Sequence, residues 1–171
     1  MHRLTLAAAL MLAACAPVSP PGFRDPILGL HSIAAFEPVR IAGHWTQVAT
    51  FAAPNAPDCA PGSAVFTPSG DGLAVVANLC LAGKVVRASG QLAIAPAGRM
   101  QLAGADPLGL GQPWWVIWVD SDYRTLVVGT PSGAFGFILN RTATLPQDRL
   151  IAARDILEWS GYDTSTLRLL N

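Results

Sequence analysis

Between residues 45 and 140 the chain is divided into eight short β-prone runs, at 45–51, 64–67, 73–81, 84–94, 99–102, 114–119, 125–129 and 135–140, separated by Gly, Pro, Asp and Ser. Branched and aromatic residues between turn-formers at roughly even spacing predict strands, and many short strands predict an antiparallel sandwich or barrel. Only beyond residue 140 does the period change. Pro146 suits a first helical turn, Gln147 and Asp148 favour the N-terminal dipole, and Leu150, Ala153, Ile156 and Leu157 recur at helical spacing until Gly161. An all-β domain with one C-terminal helix packed outside the sheet is expected, with 167–170 as a last short strand.

The chain opens differently. His2 and Arg3 precede an unbroken apolar run from Leu4 to Ala14, which is too short to span a ~30 Å hydrocarbon core as a helix and reads as an export signal. Its end, Leu12-Ala13-Ala14-Cys15, resembles the lipobox of bacterial lipoproteins. That resemblance implies a diacylglyceryl group on the Cys15 thiol and cleavage after residue 14; the alternative is an ordinary secretory signal with an incidental Cys. The non-acidic Ala16 goes, in that class, with outer-membrane retention. Residues 15–38 carry Pro17, Pro20, Pro21, Gly22, Pro26 and Pro38 without periodicity and read as a lipid-anchored flexible tether. Residues 39–171 remain as one domain.

Cys59 and Cys80 flank a hairpin whose turn is Pro68-Ser69-Gly70-Asp71-Gly72. Folding it about Gly70 brings the two cysteines nearly opposite, in a compartment that permits a disulfide. Two buried free thiols are the alternative. Charge then narrows the class of partner. Lys and Arg total 11, as do Asp and Glu, and no basic cluster appears; a nucleic-acid surface needs a basic stripe to neutralise phosphates, so that class is set aside. The content of 51% hydrophobic residues and mean hydropathy of +0.40 exceed what a signal and a core need, which suggests an apolar cavity.

Gly43-His44-Trp45, opening the first run, resembles the G-x-W signature of lipocalins. The rest of that family's order follows: Asp120-Ser121-Asp122-Tyr123 between two late strands, then Leu139-Asn140-Arg141-Thr142, while the helix with Gly161-Tyr162-Asp163 matches the bacterial outer-membrane subgroup. The resemblance is closest over 114–170 and lies in pattern alone over 52–113. It implies an eight-stranded antiparallel up-and-down barrel, with Gly43, Trp45, Asp122, Tyr123 and Arg141 as structural signature residues. Trp45 would plug the closed end with Arg141 across its indole. Thr46 and Thr50 stand where the subgroup carries an aromatic and a basic residue, so ligand choice does not transfer.

Strand alternation nominates the cavity wall. If Trp45 points inward, Gln47, Ala49 and Phe51 follow; Arg141 similarly nominates Leu139, Phe137 and Phe135. For the run at 114–119 no anchor fixes parity, so Trp114, Val116 and Trp118 or Trp115 and Ile117 face inward, and Trp114 and Trp118 are taken as candidate contacts. For each aromatic, packing against the outer helix is the competing reading. A cavity of this width suits a fatty acid or the acyl chain of a lysophospholipid. Catalysis is not expected. His31 and His44 are far apart in the chain, no nucleophile elbow is present, Asp120 and Asp122 read as a turn, and Asp155 and Glu158 as the wet face of the helix. No cofactor is implied. A barrel filled by its own side chains that docks an envelope partner is the second hypothesis, and a homodimer is left open.

Overall fold

The computed structural model describes residues 22–105 and 109–170; the expected signal, Cys15 and residues 15–21 of the expected tether lie outside them. Eight strands form the wall in meander order: β1 (Gly43–Phe51), β2 (Ser63–Ser69), β3 (Gly72–Leu81), β4 (Lys84–Ala95), β5 (Arg99–Leu102), β6 (Trp114–Val119), β7 (Thr125–Gly129) and β8 (Gly136–Asn140). Each pairs antiparallel with the next, and β1 closes the cylinder by pairing both with β8 and with β2. Pairing β1 with both β8 and β2 removes the two long edges that an open meander of these strands would present. Helix α1 (Gln147–Trp159) packs outside, and β9 (Leu167–Leu169) adds to the upper half of β1, beyond the point where β2 ends. The expected barrel and outer helix are both present.

Two apolar layers hold this arrangement. One fills the barrel with Trp45, Phe66, Leu79, Met100, Trp114 and Phe137 among others. The second lies between the wall and α1, where Val48, Ile117, Val127 and Ile138 meet Ala153, Leu157 and Tyr162. Gly129 and Gly136 give the Tyr162 ring its seat. A Cβ on Gly129 would come within 2.6 Å of the Tyr162 hydroxyl oxygen, and one on Gly136 within 2.9 Å of both the Tyr162 and Phe51 rings.

Residues 22–38, expected as the end of a free tether, instead lie against the barrel. The Phe23 amide donates to Gly133 O, the Asp25 amide to Gly161 O and the Ile33 amide to Val116 O. Arg24, only 7% exposed, donates from Nε to Ser160 O at 3.2 Å, from Nη1 to Pro131 O at 2.9 Å and from Nη2 to Leu28 O. One guanidinium thus fastens the lead-in, the β7–β8 loop and the end of α1 together. A Pro-rich segment without periodicity docks here through backbone amides, one buried Arg and a few apolar contacts from Phe23, Leu30, Ile33 and Phe36, a feature that patterning does not reveal.

Cys59 and Cys80 are joined in a disulfide with Cα atoms 6.0 Å apart, so the free-thiol alternative is overturned. It ties the 52–62 loop to the end of β3. In the chain-entropy account, closing a loop of 21 residues restricts the unfolded chain by about 3 kcal/mol. Cys59→Ser with Cys80→Ser is expected to lower unfolding free energy by about that amount in urea titrations, and reductant should shift the native protein equally while leaving the double variant unmoved.

Candidate functional site

The floor of the barrel is built around Trp45. A 3₁₀ turn at Pro38–Ile41 closes this end, with Ile41 fully buried, and its Ile41 carbonyl accepts the Trp45 indole N–H at 2.7 Å. The Arg141 guanidinium lies 3.9 Å above the indole centroid. It is held there by its own donors: Nη1 to His44 O at 3.1 Å, Nη2 to Arg40 O at 2.9 Å and Nε to Tyr123 O at 3.3 Å. Burial draws the Arg141 pKa down from its ordinary value, yet a guanidinium so far above neutrality keeps the charge that the indole face attracts. Gly43 has a φ of +101°, and a Cβ there would meet Arg141 Nη1 at 3.2 Å. Conformation and space both call for glycine at that step.

Tyr123 extends the floor outward. Its hydroxyl accepts the Glu37 amide N–H at 2.9 Å, Arg40 lies 4.0 Å over its ring, and its backbone adopts a φ of +56°. The carboxylate that organises this turn is Asp120, while Asp122, expected as a signature residue, lies at its surface. Asp122 is 62% exposed and pairs only with the Arg124 side chain. Asp120 accepts the Arg124 and Thr125 amide N–H groups, each at 2.6 Å, and the Arg124 Nε at 3.0 Å. Burial alone would raise the Asp120 pKa, but the Thr125 and Arg124 hydrogen bonds outweigh it and hold the carboxyl below its ordinary value.

The sign of the pH effect follows. A carboxyl whose folded pKa lies below its unfolded value of about 3.9 contributes stability above that pH and loses it as pH falls through the folded value. Asp120→Asn is therefore expected to lower the denaturation midpoint at neutral pH and to flatten its fall below about pH 4. Urea titrations from pH 7 to pH 3 check both.

The interior above the floor differs from simple alternation at two bulges. β1 pairs with β8 as Gln47↔Leu139 and then Ala49↔Ile138, so Val48 is an extra residue and parity inverts beyond it. Trp45 belongs to the inner layer, whereas Ala49 and Phe51, expected on the cavity wall, belong to the layer under α1. Phe51 stacks there on Tyr162 at 4.8 Å and on Phe23 at 5.8 Å. Strand β6 repeats the device. Its register shifts between Val116 and Trp118, so Trp114, Val116 and Val119 are inside and Ile117 and Trp118 outside. Neither of the two alternating sets expected for this strand is right along its whole length. On β8, Phe135, Phe137 and Leu139 do line the interior together.

Gln47 lies in the wall as a strut and not on a free surface. Where β2 ends, its side-chain amide pairs with Cys80 of β3 as another strand would, Oε1 accepting the Cys80 N–H at 2.7 Å and Nε2 donating to the Cys80 carbonyl at 2.8 Å. Thr50 Oγ1 donates to the same carbonyl at 2.8 Å. Both side chains are buried, and both have partners, so neither presents a polar group in need of one.

Toward the mouth, Trp114 donates to Leu110 O at 2.8 Å, meets Phe137 edge-on at 5.5 Å, and Phe137 stacks on Phe135 at 5.8 Å. Trp114, Phe137 and Leu110 are at most 1% exposed. A cavity of about 310 Å³ lies against the wall between the 52–62 loop and β9, beside the disulfide, Thr50 and Arg168. Another of about 300 Å³ lies over Ile94, Arg99 and Trp115. Leu110 and Met100 carry no turn or spacing signal that marks them in the sequence, and the bulge at Val48 hides that Thr50 bonds to Cys80.

A closed up-and-down barrel with a Trp floor, an Arg across it and one outer helix defines the class of small calyx-shaped binding proteins. The chain belongs to the lipocalin-like family: the model of the lipocalin-like domain matches residues 37–171, and members of this family in general bind small hydrophobic ligands. Temperature-induced lipocalin-1 of Arabidopsis thaliana is 33% identical over 54 residues, covering 32% of this chain. The match spans only 29% of that relative's length. Among solved structures, apocrustacyanin C2 superposes with a TM-score of 0.54 at 17% identity and apocrustacyanin C1 with 0.55 at 16%, each over 77% of both chains. At such identities the likeness is one of fold.

Proposed function

We infer that the protein is a lipid-anchored lipocalin of the bacterial cell envelope, held at the outer membrane through an acylated Cys15, whose barrel carries or stores one fatty acid or lysophospholipid. It is a carrier and not an enzyme. One observation carries the ligand class: the barrel layer is built of apolar side chains, and the two polar groups at its seam, Gln47 and Thr50, are already bonded to Cys80. Such an interior rewards a methylene chain by about 0.8 kcal/mol per buried CH₂ and leaves a charged headgroup at the mouth. Entry requires Leu110 and Trp114 to move aside, since both are buried in the closed form.

The same packing supports the second reading, a filled barrel that docks an envelope partner. Neither of the two cavities described is lined by Trp114, Phe135, Phe137 or Leu139. Native mass spectrometry of an exported Cys15→Ser protein, with palmitate or lysophosphatidylcholine added, separates the two. A 1:1 adduct is expected; a folded protein that ignores both amphiphiles favours the docking reading. The same spectra report any homodimer, and the mass of the wild-type protein reports acylation.

A further inference from the structure

The exposed apolar residues at one shoulder of the barrel mouth, and the charge at the two ends, point to a specific orientation. Strands β1, β3, β5 and β7 run away from the floor and β2, β4, β6 and β8 return to it, so among the described residues the 52–62, 82–83, 103–105, 109–113 and 130–135 segments form the rim. Helix α1 begins after β8 has come back to the floor and ends at the rim, where a Cβ on Gly161 would be 3.2 Å from Leu28. Three large apolar side chains stand out together at this end: Ile27 is 89% exposed, Trp159 63% and Leu28 48%. His31 tilts against the Trp159 ring at 5.3 Å. They stand beside the Arg24 clamp, which fixes where the chain leading from Cys15 arrives.

Charge divides the two ends. Among the described residues the rim segments contain one formally charged residue, Asp58, which pairs with Arg168, whereas the floor is dressed by Glu37, Arg40, Asp71, Asp120, Asp122, Arg124 and Arg141. A sparsely charged, Pro/Ala/Gly-rich rim costs little to bring against lipid headgroups, where the exposed Asp25 and Glu158 beside the shoulder can stay hydrated, and an exposed Trp beside aliphatic residues suits the interfacial layer, where an amphipathic ring is at its most favourable. A charged floor belongs in water.

We propose that the shoulder formed by Ile27, Leu28 and Trp159 rests on a phospholipid bilayer, so that the barrel mouth opens toward the leaflet carrying the protein's own anchor. The proposal deepens the envelope-carrier reading and rests on Cys15 acylation for its reach. Six residues separate Cys15 from Gly22, a span of at most about 25 Å of extended chain, so an acylated Cys15 keeps the clamped end of the barrel within that distance of the membrane. A carrier in this pose exchanges an acyl chain with the bilayer without a free passage through water.

The test uses the full chain with Cys15→Ser, which removes the anchor and leaves the surface to act alone, and phosphatidylcholine vesicles whose acyl chains are brominated. Vesicles are expected to quench tryptophan emission, and Trp159→Phe should remove at least half of that quenching. Ile27→Asp with Leu28→Asp should weaken vesicle partition about tenfold while the thermal unfolding curve stays in place. Emission untouched by the brominated lipid, or quenching that survives undiminished in Trp159→Phe, overturns the proposal. Acylation is read separately from the mass at Cys15 in the wild-type protein. A quenched Trp159 beside an unmodified Cys15 would remove the anchor and keep the surface, whereas an acylated Cys15 beside an unquenched Trp159 would do the reverse.

Discussion

Trp45→Ala is expected to cost about 3–5 kcal/mol of stability, the range for truncating a fully buried large aromatic. Little collapse can offset it. The indole is capped by Arg141 at 3.9 Å and tied to Ile41 O, and the Arg141 fork is bonded to three carbonyls of surrounding backbone, so the guanidinium would stay in place above a void. Against a domain stability of roughly 5–15 kcal/mol, this is a large fraction. Urea titration of the two proteins measures it. Trp45→Phe supplies the internal control: the ring face remains beneath Arg141 and only the N–H bond is lost, a change of about 1 kcal/mol beyond the smaller ring's packing loss. Ligand affinity of the folded fraction should barely change, because the floor indole is structural. A Trp45→Ala protein as stable as wild type but deficient in binding would reverse that assignment.

Trp114→Ala is expected to have a comparable cost, about 3–5 kcal/mol, with the opposite consequence for the ligand. Trp114 is the ring that Leu110 holds and that meets Phe137 edge-on under the mouth. Removing it opens apolar space where the proposed acyl chain would enter. Apolar cavities of this kind stay dry and accept apolar guests, so the variant should unfold earlier in urea without lipid and regain stability when palmitate is added. Linkage sets the scale: ligand at one hundred times its dissociation constant restores about 2.7 kcal/mol. If palmitate rescues neither Trp114→Ala nor the native protein, the barrel is a filled core and the partner-docking reading gains.

Much of the architecture was readable because it depends on local chemistry. Gly70 sits in its turn at a φ of +56°, the two arms of the β2–β3 hairpin pair from Ser63↔Asn78 to Ser69↔Gly72, and the cysteines flanking it are bonded. The helix ends where Gly161 takes a φ of +85°. The interior was only half readable. Alternation from Trp45 is valid as far as Gln47 and fails at Val48, since a bulge leaves no mark in composition or period. The same insertion in β6 splits Trp114 from Trp118. The docking of the lead-in is not legible for another reason: residues 22–38 are held by backbone amides, one Arg and apolar side chains at 23, 30, 33 and 36, whose spacing fits neither a strand nor a sustained helix. Asp120 and Asp122 are two carboxylates in one turn, and only the positions of the Arg124 and Thr125 amides decide between them.

Because Val48 is an extra residue against β8, β1 carries one residue more than its ladder needs. Loss of the single codon for Val48 would leave composition and hydropathy almost unchanged. In a regular ladder Gln47↔Leu139 would be followed directly by Ala49↔Ile138, the pairs already present, so Ala49 and Phe51 would keep their place beneath α1. A one-residue deletion here straightens the strand without turning it over, whereas one further inserted residue would carry the whole upper half to the other face.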